Sequence, residues 1–112
     1  MIPGSNGVRL ALTRQRCPPA EECLADDQPV TLIIRPDIED RNFHEDTKAY
    51  LGPEHKWPTA LQAVERGFRF VPDAQRQLQM SASRGGFQIE PEWQYMIQHP
   101  LEAERGLQPA SD

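Results

Sequence analysis

Long apolar runs are missing from this sequence. None approaches the roughly 20 residues that a helix needs to cross a bilayer. The opening stretch, MIPGSNG, also lacks the basic start and the longer apolar segment of a secretory signal peptide. We therefore predict a protein that has no contact with a membrane and is located in the cytoplasm.

Cysteine is scarce, with only Cys17 and Cys23 in the chain. Two thiols cannot form a structural zinc site of the four-cysteine type. A disulfide between them is sterically allowed, but such bonds are rare in cytosolic proteins. We expect both to be reduced thiols. Neither has a neighbouring histidine or lysine in the sequence, so neither is marked as a nucleophile.

Motifs for cofactors and catalysis are also absent. The sequence contains no G-x-x-x-x-G-K-[ST] or G-x-G-x-x-G phosphate loop, no His-Glu-x-x-His zinc pair, and no nucleophile elbow. It therefore predicts no cofactor, no metal and no catalytic residue. One alternative stays open, a small metal-dependent enzyme that uses His44, His55 and nearby carboxylates, because clustered titratable groups are a pointer to function.

Acidic residues outnumber basic ones, and the net charge is −5. This balance argues against non-specific binding to nucleic acid, which depends on neutralising phosphates. The acids are concentrated between residues 21 and 46, where nine acids face two bases. Between residues 66 and 84 there are four bases and one acid. Such a polarised charge distribution can steer a charged partner.

From this charge layout we predict a small acidic protein-binding module without enzymatic activity, of the adaptor, inhibitor or immunity type. Its partner would be another protein with a basic surface, and no nucleic acid would bind directly. The predicted partner-binding residues come from both charged regions: Glu21, Glu22, Asp26, Asp27, Asp40, Glu45, Asp46, Arg69, Arg76 and Arg84. Two further alternatives are a nucleic-acid mimic that inhibits a DNA-binding protein and a subunit of a larger assembly.

The chain length of 112 residues suits one domain. We predict a single compact domain over residues 1–100 and a frayed tail over residues 101–112, which have little to bury. The predicted class is α+β, with a small antiparallel sheet of about four or five strands and two or three short helices on one face.

Apolar periodicity predicts four strands. In addition, Phe68 and Phe70 alternate with Arg69, and Pro72-Asp73 after them is a turn signal. Residues 8–12 alternate between apolar and polar, and residues 30–34 form a β-branched apolar run between prolines. Residues 77–83 and 87–93 also alternate. Gly85 and Gly86 between them favour a two-residue hairpin turn that places both apolar sets on one face.

Three helices are predicted from spacing and end signals. The first runs from an N-cap at Asp37 to Leu51, where Gly52 and Pro53 stop it. The second covers residues 59–66, which have capping-box spacing at the start and a glycine after the end. The third is a short helix with apolar positions over residues 93–97.

Overall fold

The computed structural model describes residues 6–16, 18, 22–42, 45–107 and 110–111. The chain divides into two compact units, Met1–Pro36 and Asp37–Asp112. All helices and strands of the described residues belong to the second unit. Within the described ranges, no helix is both long enough and apolar enough to span a membrane.

The centre of the second unit is a three-stranded antiparallel sheet. Its strands are β1 (Leu61–Val64), β2 (Gly67–Asp73) and β3 (Arg76–Ser81), and β2 lies in the middle. Phe70 of β2 stands opposite Leu61 and Leu78, and Phe68 stands opposite Ala63 and Met80. Directly opposed residues share a face, so these six side chains define the apolar side of the sheet.

Two tight turns connect the three strands. Arg66, in the turn before β2, has a φ of 57°, and a Cβ placed on the next residue, Gly67, would lie 1.9 Å from the backbone oxygen of Met80. Glycine is therefore required at position 67 because β3 passes so close. In the turn after β2, the Asp73 carboxylate accepts the backbone N–H groups of Gln75 at 2.8 Å and Arg76 at 3.1 Å.

Short elements surround this sheet. A 3-10 helix, Ala49–Leu51, ends at Gly52, whose φ of 115° only glycine adopts readily. Helix α1 (Pro53–Thr59) begins at once with a proline in its first turn, where a missing N–H costs nothing. Strands β4 (Ile97–Gln98) and β5 (Ala110–Ser111) pair antiparallel, and α2 (Pro100–Glu104) lies between them in the chain.

An aromatic cluster joins α1 to the sheet. Trp57 of α1 meets the ring of Phe70 edge-on, with centroids 5.6 Å apart, and contacts Trp93 at 5.5 Å. Phe87 packs against Phe68 at 4.9 Å. Phe68 and Phe70 are only 2% and 3% exposed, so the core lies between the sheet and these rings. Each aromatic pair adds about 0.5–1.5 kcal/mol beyond area burial.

The predicted α+β class is confirmed, but the sheet is smaller than predicted, with three strands and a separate pair instead of four or five together. The hairpin prediction is wrong in its pairing. Residues 77–81 do form a strand, but its partner is β2, and residues 87–93 form none. The turn at Asp73 connects β2 to β3 and places Phe68 and Phe70 opposite the apolar residues of β3. This pairing forms in place of the hairpin that Gly85 and Gly86 were predicted to close.

The structure does contain a few short helices, as predicted, but the predicted positions of the helices are wrong. Of residues 37–51, those that the structure describes are helical only in the 3-10 turn, and Phe43 and His44 lie outside the described residues. Side chains compete with helix formation here, since Arg41 Nη1 donates to the Glu45 carbonyl. Residues 61–64 form β1, and Met96, at φ 58°, turns the chain before β4.

In the first unit, the predicted strands at 8–12 and 30–34 are absent, and their apolar side chains are exposed. Arg14 binds the 24–28 turn instead. Its guanidinium donates to the carbonyls of Leu24 at 3.0 Å, Ala25 at 2.6 Å and Gln28 at 2.6 Å.

The expectation of reduced thiols is wrong, because Cys23 is disulfide-bonded. The other cysteine of the chain, Cys17, lies outside the described residues. The division into a domain over 1–100 and a frayed tail over 101–112 stays a prediction.

Candidate functional site

The segment from Glu39 to Lys48 is irregular backbone that ion pairs hold in place. Arg41 is at its centre and is largely buried, with its side chain 20% exposed. Its Nε donates to Glu39 Oε2 at 2.9 Å, and its Nη2 donates to Glu102 Oε1 of α2 at 3.2 Å. The bond to Glu39, followed by the charges of both carboxylates, raises the pKa of Arg41 above its ordinary value.

A second buried group secures the same segment. Thr47 is only 7% exposed, and its hydroxyl donates to Glu39 Oε1 at 3.1 Å. Glu39 therefore accepts hydrogen bonds from two side chains of the segment, those of Arg41 and Thr47. Since Arg41 also holds the carbonyl of Glu45, the backbone between them is fixed by several independent contacts.

This fixed segment forms one wall of a cleft of about 180 Å³, and the 3-10 helix and α1 supply the other. Three residues from the second wall are apolar, and the first wall is mostly charged. The lining residues are Asp40, Arg41, Glu45, Asp46, Thr47, Lys48, Leu51, Pro53 and Trp57. The cleft thus combines an aromatic and aliphatic side with a side of acceptors and donors, and its lining residues are more polar than those of most small-molecule sites.

Two charged groups of the cleft remain available to a ligand. The side chains of Asp46 and Lys48 make no hydrogen bond or ion pair with any other residue that the structure describes. Glu45 accepts a bond from Asn42 Nδ2 at 2.8 Å, and Asp40 pairs with Arg76 at 3.3 Å. A carboxylate accepts hydrogen bonds and an ammonium donates them, so Asp46 and Lys48 could together bind a hydroxyl-rich ligand.

The acidic residues predicted from sequence to bind a partner are distributed over both units. Asp40, Glu45 and Asp46 come together in the cleft. Glu22, Asp26 and Asp27 belong to the first unit, where they are exposed, and Glu21 lies outside the described residues.

The predicted basic residues have different local partners. Arg76 pairs with Asp40 and Asp73, so one predicted base neutralises one predicted acid. Arg69 donates to Gln79 Oε1 across the strands at 3.4 Å, and Arg84 is exposed. Whether these positions bind a partner stays a prediction.

The histidine alternative gains no support from this geometry. Among the described residues, no three histidine, cysteine or acidic side chains are grouped closely enough to hold a metal ion. His55 is exposed on α1, and His44 lies outside the described residues.

Sequence reasoning missed the apolar side of the cleft and its two polar neighbours. Gly52 and Pro53 were interpreted only as a helix stop, although they also turn the chain so that α1 faces the acidic segment. The residues missed are Thr47, Lys48, Leu51, Pro53 and Trp57. The sequence did contain a signal for the apolar side of the cleft, because Trp57 follows shortly after the dense run of carboxylates.

A family model described as "Glycogen debranching enzyme N terminal" matches residues 1–112, which is the whole chain. No curated protein and no solved structure matches the chain significantly.

This match contradicts the functional prediction made from composition. A small acidic adaptor, inhibitor or immunity-type protein is wrong, because the matching family consists of the N-terminal part of an enzyme. The nucleic-acid mimic is overturned with it. Acidic composition and the absence of catalytic motifs could not separate a free binding module from one part of a larger enzyme.

Proposed function

We propose, since the chain belongs to the family of glycogen debranching enzyme N-terminal domains, that it is the part of such an enzyme that binds α-glucan chains and leaves catalysis to another part. The family match over the whole chain carries this proposal. The cleft between the acidic segment and α1 supplies the candidate binding site.

The apolar side of the cleft suits a sugar ring. A glucose unit has faces of C–H groups that pack on aromatic and aliphatic surfaces, and Trp57, Leu51 and Pro53 supply such a surface. The volume of about 180 Å³ is below the roughly 300–1,000 Å³ of sites for drug-sized ligands. The cleft would therefore hold about one glucose unit of a longer chain.

The polar side of the cleft suits the sugar hydroxyls. Asp46 and Lys48 are the groups we assign to these contacts, as acceptor and donor, because no described residue engages them. Hydrogen bonds to charged groups contribute about 1.5–3 kcal/mol each, so two of them would orient the ring. Arg41 does not contact the glucan in this proposal, and it acts by holding the segment in position.

Retardation of the chain in native gels that contain glycogen tests this proposal. We expect wild-type chain to be slowed by glycogen, and Asp46→Ala with Lys48→Ala to abolish the effect while the fold is kept. Arg84→Ala, exposed and outside the cleft, is the matched control. Equal mobility of wild type with and without glycogen would contradict the proposal, and so would hydrolysis of α-1,6-linked glucose by the chain alone.

Two earlier predictions remain proposals. A cytoplasmic location and a protein partner with a basic surface both follow only from composition. Cell fractionation with an antibody against the chain would test the first of them.

A further inference from the structure

Helix α2 carries a side chain that reaches the acidic segment of the cleft from a distant part of the chain. Glu102 Oε1 accepts from Arg41 Nη2 at 3.2 Å, and the two residues are 61 positions apart. Their side chains are 32% and 20% exposed, respectively. Because solvent screens a partly buried ion pair much less than an exposed one, this contact can hold the two groups together at ordinary salt concentrations.

The same guanidinium also holds the backbone next to the two cleft groups Asp46 and Lys48. Arg41 Nη1 donates to the carbonyl of Glu45 at 2.9 Å, and Glu45 directly precedes Asp46 in the chain. A guanidinium is planar and carries its N–H donors in a rigid fork, so the direction of Nη2 toward Glu102 also sets the direction of Nη1 toward that carbonyl. The position of the Glu102 carboxylate is thereby linked to the backbone of Asp46.

Contacts at both ends of α2 hold Glu102 in place. His99 precedes the helix, and its Nε2 lies 2.8 Å from the hydroxyl oxygen of Ser111 in β5, a residue that is only 3% exposed. The His99 carbonyl accepts the backbone N–H of Glu102 at 3.1 Å, and the backbone N–H of Leu107 donates to the Glu102 carbonyl at 3.0 Å. The backbone of Glu102 is thus fixed next to the β4–β5 pair, and its side chain extends from there to Arg41.

We propose that Glu102 is a positioning residue for the cleft and that it acts through Arg41. It contacts no sugar itself, and it keeps Asp46 and Lys48 in the place where they meet a glucose ring. This inference rests on the proposed function, because it takes the cleft as the glucan site. Groups that are already ordered before binding give a tighter complex, since less ordering remains to be done when the ligand arrives. Removing Glu102 should therefore weaken glucan binding without removing a contact to the sugar.

A double-mutant cycle on the Kd for maltoheptaose tests this inference. Glu102→Ala should raise the Kd about fivefold, because members of one ion-pair network are energetically coupled. The double variant Arg41→Ala with Glu102→Ala should bind no more weakly than Arg41→Ala alone, since Glu102 acts through Arg41. Glu102→Gln keeps the oxygen acceptor and should restore part of the affinity. Glu104→Ala is the matched control, because it removes the same charge from an exposed position of the same helix, and it should leave the Kd unchanged.

Amide spectra of the free chain, recorded without sugar, separate this inference from the proposed function. Glu102→Ala should shift the backbone amides of Asp46 and Lys48, and Glu104→Ala should leave them in place. If wild type binds no maltoheptaose, the glucan site is refuted, and these amides still decide whether Glu102 holds the segment. Unchanged amides in Glu102→Ala would overturn the positioning role. So would a wild-type Kd for that variant, or effects of the Arg41 and Glu102 changes that add in full.

Discussion

Replacing Gly67 with alanine tests the packing of the central sheet. The added Cβ would lie 1.9 Å from the Met80 backbone oxygen, 2.7 Å from the Ser81 Cα and 2.9 Å from the Met80 carbonyl carbon. All three atoms are backbone, so no side-chain rotation can relieve the clash. Strand β3 would have to move away by about 1.5 Å to reach an ordinary contact distance.

The cost follows from what this movement disturbs. It would stretch the ladder at Gly67–Ser81 and Phe68–Met80 and loosen the contacts of Phe68, the most buried ring. Overpacking of this kind costs about 1–3 kcal/mol. Loss of ladder hydrogen bonds adds about 0.5–1.5 kcal/mol each. We therefore expect a loss of at least about 2 kcal/mol in the free energy of unfolding.

Urea unfolding, followed by far-ultraviolet circular dichroism, measures this loss. Gly86→Ala is the matched control, because no atom lies within 4 Å of its added Cβ and its φ is not positive. We expect the Gly86 variant to keep the wild-type midpoint and the Gly67 variant to unfold at clearly lower urea. Equal midpoints for wild type and Gly67→Ala would refute the β2–β3 register.

Three further predictions concern charged and covalent contacts. Arg41→Ala should destabilise the fold by about 1–3 kcal/mol, because it removes the guanidinium that binds both Glu39 and Glu102. Thermal melts check this, and an unchanged Tm would count against it. The pKa of Asp73 is lowered, so the stability that its carboxylate contributes is complete above the unfolded value of about 3.9 and disappears as the pH falls through the folded pKa. Asp73→Asn should remove this acid dependence from urea midpoints taken between pH 4 and pH 2. A variant that keeps the dependence would contradict the assignment. Cys23→Ser removes a disulfide, and such a bond contributes about 2–4 kcal/mol. Protease digestion should cut the first unit of this variant sooner, and equal rates would refute a stabilising role.

Local pattern was enough to predict part of the fold. The alternation of Leu78 and Met80 identified a strand, and Gly52 with Pro53 correctly marked the end of one element. The partner of that strand was not predictable from local pattern, because two turn signals competed. The turn at Asp73 forms because the Asp73 carboxylate stabilises it by accepting two backbone N–H groups.

The cleft was beyond local pattern for a different reason. The backbone that forms its acidic wall is held by the ion pair between Arg41 and Glu102, two residues 61 positions apart in the chain. Periodicity reports neighbours within a few residues and does not detect such pairs. It therefore predicted a helix where long-range contacts hold an irregular segment. At 8–12 and 30–34, periodicity predicted strands that do not form. These exposed stretches have a strand-like pattern but pair with no strand among the described residues.

Titration of the isotopically labelled chain with maltoheptaose, followed by NMR, tests the central claim most directly. If the cleft binds α-glucan, the indole N–H of Trp57 and the backbone amides of Asp46 and Lys48 should shift together with one Kd. A β-linked glucose oligomer of equal length should leave them in place. Shifts that are absent, or that occur only at residues outside the cleft, would contradict the assignment of this cleft to glucan binding.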